Sequence, residues 1–199
     1  MGLEEMPKCS EGWLDTVHRT KDAAETSFSL LKASENCYYL PQGKSRDRVT
    51  EKDARILIGN LAKLSKPDYA VVDAGIRGTP SAMEFAQQSS MTVTVIECES
   101  NCLFRLNQTK LLQGEYLLIN RFMMKSEVMK DIELILRKSS FGDSVLRYTV
   151  QYDECMIRSF MQMMPVTRFL PISSAARSIE KLMIDVLTIC EITSQRQES

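Results

Sequence analysis

Short apolar runs alternate with helix-period stripes along this chain, and the alternation predicts its elements. Asp68 to Thr79 (DYAVVDAGIRGT) opens on an apolar run long enough for a buried parallel strand, closing on Asp73 at the strand's carboxyl end. Met91 to Glu97 (MTVTVIE), Tyr116 to Asn120 within EYLLINRF, and Val145 to Gln151 read as further strands. Cys37 to Leu40 (CYYL) is a shorter one, stopped by Pro41 and Gly43. Between them the apolar period changes to that of a helix. Ser10 to Arg19, Asn101 to Leu111, Ser126 to Lys138 and Asp153 to about Met163 fit that period.

Start signals sharpen several of these. Thr50 followed by Asp53 forms a capping box with aspartate in the usual Glu/Gln place, ahead of Ala54, Ile56, Leu57, Leu61 and Leu64. Thr79 caps a helix with Pro80 at its first position, running to about Gln88. Ser173 or Ser174 opens a last helix whose Ile179, Leu182, Met183, Val186, Leu187 and Cys190 form one face for packing on a sheet. Repeated strand–helix units of this length predict an α/β fold, a parallel sheet with helices on both faces. The expected organisation is a single domain over 1–193 and a polar tail over 194–199.

Composition narrows the class. With 25 basic against 26 acidic side chains, there is no bulk attraction to nucleic acid or anionic lipid. The N-terminal MGLEEMPKCSEGW lacks the basic region and apolar core of a secretory signal, and no run of about 18 apolar residues offers a membrane span. A cytoplasmic protein is expected. Its six cysteines are scattered through a chain long enough to build a core, so they read as reduced thiols. Cys98 and Cys102, four apart, lack the further ligands of a zinc site, since His18 is the sole histidine.

Candidate chemistry sits at the strand ends. An acidic residue closing a buried strand before glycines can hold a metal-bound water opposite a phosphate, and Asp73 with Gly75 and Gly78 fits that pattern as well as it fits a turn cap. Asn120 ends the following strand on an amide able to read a base edge, or simply to form a turn. Gly43-Lys44-Ser45 echoes a phosphate loop. However, Tyr38 stands where its first glycine belongs and Pro41 removes an amide donor, so no phosphate cradle is expected there. The methionines cluster at 161, 163 and 164, soft apolar surface for a core or a partner interface.

Met91 to Phe122 (MTVTVIECESNCLFRLNQTKLLQGEYLLINRF) resembles the BcsQ family of cellulose-biosynthesis proteins, a branch of the ParA/MinD group of deviant-Walker ATPases. Glu97, Asn101-Cys102, Arg105-Leu106, Gly114 and Leu118-Ile119-Asn120 carry the resemblance, which continues through Asp131-Ile132, Asp153 to Met156 and Pro165-Val166. Upstream it runs from Gly12-Trp13 through Leu40-Pro41-x-Gly43 to Tyr69–Asp73.

The resemblance implies a P-loop NTPase-like sheet of the MinD type, incomplete at its N-terminal side, because the family's opening strand and lysine-rich glycine loop are not seen in this sequence. It implies ATP and magnesium as family cofactors, with Asp73 on the magnesium side, through water, and Asn120 on the adenine side. The family's D-x-P reads Asp73-Ala74-Gly75, a flexible glycine in place of proline. For this chain no cofactor and no catalytic residue are expected. The expected role is that of a pseudo-ATPase accessory to cellulose synthesis and secretion, with BcsR and BcsE as partners, a homodimer also allowed, and recruitment to the inner membrane or cell pole. Met161, Met163 and Met164 are its interaction candidates. The alternatives are an active ATPase and an inactive truncated product.

Overall fold

Thr50 begins a helix of the N-terminal part, and it does so by the predicted box. In the computed structural model, which describes residues 12–20, 30–34, 37–42, 48–63 and 68–197, the Thr50 hydroxyl accepts from the Asp53 amide at 3.2 Å. The Asp53 carboxylate accepts in return from the Thr50 amide at 2.9 Å. Two orphan donors are thereby satisfied, and aspartate serves where Glu or Gln is usual. The chain forms two compact units, 1–88 and 89–199, a division that falls inside the 1–193 span.

The first unit contains α1 (Trp13–Thr20), an antiparallel hairpin of β1 (Leu31–Ser34) and β2 (Cys37–Tyr39), α2 (Glu51–Leu61) and α3 (Pro80–Gln88). The first amides of α1 find acceptors outside the helix, Trp13 N–H on the Pro41 carbonyl and Leu14 N–H on that of Gln42, both at 3.0 Å. Trp13, Leu14, Val17, Ala54, Leu57 and Phe85 make its core. Arg55 ties α2 to α3, reaching the buried carboxylate of Glu84 at 3.0 Å while also pairing with Glu51.

The predicted strand ending at Asp73 does not form a ladder. Val72 and Ala74 pack on the core while Tyr69 and Val71 point outward, Val71 being 96% exposed. The alternation of a strand is therefore present without its pairing. A central parallel strand needs partners for its backbone groups on both edges, and no described strand pairs with this one. The Gly43-Lys44-Ser45 segment lies outside the described residues.

In the second unit, β3 (Thr92–Glu97) pairs in parallel with β4 (Glu115–Asn120), in register from Thr92 opposite Glu115 to Glu97 opposite Asn120. Alternation along β4 assigns its faces. Leu117 and Ile119 meet Ile96, Leu106 of α4 (Ser100–Asn107), and Ile132 and Leu136 of α5 (Glu127–Lys138). Leu118 and Tyr116 meet Leu146, Val150 and Leu182 of α8 (Ser174–Gln197). Helices thus cover both faces of β4. Buried Glu115 clasps the start of the pair, accepting from the Thr94 hydroxyl at 2.7 Å and the Leu112 amide at 2.8 Å.

The predicted strand over 145–151 meets β4 and the residues after it only in isolated bridges, Val145 beside Leu117 and Gln151 beside Phe122, with the Leu146 and Val150 amides donating to the Leu117 and Ile119 carbonyls at 2.9 Å. Between them side chains take some of the backbone groups a continuous ladder would use. Arg137 donates to the carbonyls of Leu146 and Arg147, and Asp185 accepts from the Arg147 amide at 3.1 Å. The turn after α5 admits only glycine at 142, where a Cβ would stand 2.3 Å from the Arg137 carbonyl oxygen. The fold is thus α/β with a parallel pair, while the larger parallel sheet is not formed among the described residues.

Candidate functional site

Asp153 opens α6 (Glu154–Met161), accepting from the Cys155 amide at 2.9 Å. Its other oxygen accepts from the Ser174 hydroxyl at 2.9 Å and the Ala175 amide at 3.4 Å, at the start of α8. The Cys155 amide foremost, then the Cys155 side chain, Ser174 and Ala175, holds this carboxyl down at about 2. One carboxylate therefore fixes two helix starts.

The other end of α6 closes in a Schellman turn. The Met163 amide bonds the Phe160 carbonyl and the Met164 amide bonds that of Ser159, both at 3.0 Å. That turn needs a left-handed residue, usually glycine; here it is Met163, with φ of 49°. Only Ser159 is buried on the helix. Met156, Ile157, Phe160, Met161, Met163 and Met164 all face solvent, Phe160 being 84% and Met161 75% exposed. Of the two environments open to Met161, Met163 and Met164 in the sequence, the structure gives surface. Phe160, next to the methionines in sequence, is the residue that sequence reasoning missed; its place at i, i+4 from Met156 was the available signal.

The strand-end candidates fall in different units, Asp73 in the first and Asn120 in the second. Asp73 is exposed, and its Oδ1 accepts from the Gly75 amide at 3.1 Å, an Asx turn in which Gly75 takes a φ of 77°. Asn120 is half-buried opposite Glu97. Arg121, also left-handed at φ 53°, pairs with Glu97 at 3.3 Å and lies 5.8 Å from the Tyr152 ring centroid. The thiols near these ends are held protonated. Burial, then Glu133, pushes Cys98 up to about 11, and burial raises Cys102 as well.

Comparison with known proteins supplies the decisive observation, since the pattern of the family described as Cellulose biosynthesis protein BcsQ matches residues 5–187. The chain belongs to the BcsQ family. Comparison with curated proteins gives no match. Among the described residues, Asp73 and Asn120, the positions that the ParA/MinD resemblance sets beside magnesium and ATP, are not brought together in one unit. The Asp73 carboxylate is engaged by its own turn, and Tyr38 stands where a phosphate loop's first glycine belongs. No step through nucleotide follows from these residues. Among the described residues no helix of the chain is long and apolar enough to cross a membrane.

Proposed function

We propose that this BcsQ-family chain serves cellulose synthesis and secretion as an accessory protein working through protein contacts, with the outer face of α6 as its docking surface. One observation carries the reading: Phe160, Met161, Met163 and Met164 stand exposed together on one helix and its terminal turn. An apolar cluster of this kind on a soluble surface marks a contact site, and flexible methionine side chains adapt to a partner's shape. Membership of the family supports the process, and resemblance to it supports the small protein BcsR and BcsE as partners, near the cytoplasmic side of the cellulose synthase. Nucleotide turnover has less support, because Asp73 caps a turn and no phosphate cradle accompanies it among the described residues. Co-expression tests the reading. A cognate small cellulose-operon protein should raise the soluble yield of the chain by mass action, and an unchanged yield would count against the proposed contact.

A further inference from the structure

We infer, resting on the α6 docking surface proposed above, that its occupant is an acidic amphipathic helix of a partner protein. The apolar side of that helix seats on Phe160 and the methionines, and its flanking carboxylates meet Arg158, Arg168 and Arg177. Charge is distributed unevenly around this surface. From Cys155 to Ile179 the sequence holds arginines at 158, 168 and 177 and no aspartate or glutamate, in a chain whose net charge is −1. The three are exposed, and among the described residues none of them pairs with a carboxylate, whereas Arg55, Arg121 and Arg137 each hold a glutamate.

The fold gathers these arginines on helices packed together within the second unit. Arg158 lies on α6 one turn before Met161. Arg168 belongs to α7 (Val166–Phe169), which begins just after Met164 and packs on both α6 and α8. Asp153 binds the start of α6 to Ser174 and Ala175, and Arg177 stands one turn into that same helix, α8. The chemistry then selects the occupant. Met156 with Phe160 and Ile157 with Met161 form an exposed stripe at helical spacing, the counterpart of another helix's apolar face. The planar fork of arginine takes a carboxylate through paired hydrogen bonds, so an unpaired arginine rim favours an acidic flank. An anionic lipid surface would offer the same sign of charge. It is the weaker occupant, because α6 has 8 residues against the roughly 20–30 of many helices that lie on a bilayer.

Fluorescence anisotropy with two labelled synthetic peptides of about five helical turns tests this. Both carry leucine along one face; one carries glutamate and the other lysine at the remaining positions. The glutamate peptide should bind the chain saturably and more weakly as salt is raised, and the lysine peptide at least about tenfold less well. The triple variant Arg158→Gln, Arg168→Gln, Arg177→Gln should lose at least about tenfold in affinity for the glutamate peptide with an unchanged circular-dichroism spectrum, since all three side chains are exposed. The salt series and the lysine peptide read the unaltered chain, independent of any variant's folding. Equal binding of the two peptides, no binding of the glutamate peptide, or an affinity indifferent to the arginines would overturn the acidic occupant. So would binding to phosphatidylglycerol vesicles by a chain that leaves the glutamate peptide free. If the cognate small cellulose-operon protein binds through Met161, Met163 and Met164 but not through the arginines, the acidic occupant falls and the docking surface stands.

Discussion

The Asp153 carboxylate accepts a hydrogen bond from the Ser174 hydroxyl at 2.9 Å, joining the starts of two helices 21 residues apart in sequence. The same carboxylate caps α6 on the Cys155 amide, so removing it frees donors at both helix starts. Asp153→Ala should destabilise the second unit by about 1–2 kcal/mol, the range of a lost N-cap. Urea unfolding followed by circular dichroism measures it.

A pH dependence follows from the same contact. The folded-state value, about 2, lies below the ordinary 3.8, so the unfolded chain binds the proton more readily. Asp153 therefore stabilises fully above about pH 4, and its contribution is lost as pH falls toward about 2. Thermal melts of the chain and of Asp153→Ala should converge at the acid end. A gap as wide at pH 2 as at pH 6 would remove Asp153 from the account.

Glu115 offers a sharper test of the β3–β4 pair, because it is buried and satisfies two donors at once. Glu115→Ala strands the half-buried Thr94 hydroxyl and Leu112 amide, and each costs up to about 1–3 kcal/mol, the penalty of a fully buried unpaired group. Its urea midpoint should fall well below that of Thr94→Val, which removes one donor and leaves the Leu112 bond in place. Equal midpoints would mean that the clasp contributes nothing beyond its threonine.

Much of this architecture was legible in the sequence because its signals are local. The Thr50–Asp53 box, the Thr79-Pro80 start, Ser126 and Asp153 all cap the helices that their positions predict. Strands fared less evenly, since a strand exists only by its neighbours. Val72 and Ala74 point inward, yet 68–73 forms no ladder; and 145–151 keeps only isolated bonds to β4, because Arg137 and Asp185 take the groups around Arg147. Asp73 occupies the turn that its sequence allowed as readily as a metal site. The surface position of the methionines was not legible, because apolar residues at helical spacing look alike in a core and at an interface.

The fit of Asp73 to a turn bears on nucleotide. Titration calorimetry of the chain with magnesium and ATP should give no binding heat, and Asp73→Ala should change nothing, since the Asx turn is exposed. A micromolar dissociation constant abolished by Asp73→Ala would restore a nucleotide site.

Met163 combines the proposed contact role with backbone strain. A non-glycine residue held left-handed costs about 1 kcal/mol, so Met163→Gly should stabilise the Schellman turn by up to about that amount. The variant should melt at or above the temperature of the unaltered chain while binding a partner less well, a separation of stability from contact.

The most direct test of the central claim is binding of the purified cognate small cellulose-operon protein to the chain and to the triple variant Met161→Ser, Met163→Ser, Met164→Ser. All three side chains are exposed, so the variant should keep its melting temperature within a few degrees. Calorimetry should then show saturable binding to the unaltered chain and at least about a tenfold weaker constant for the variant, as for a cluster of interface anchors. Equal affinities for the two, or no binding to either, would contradict the account.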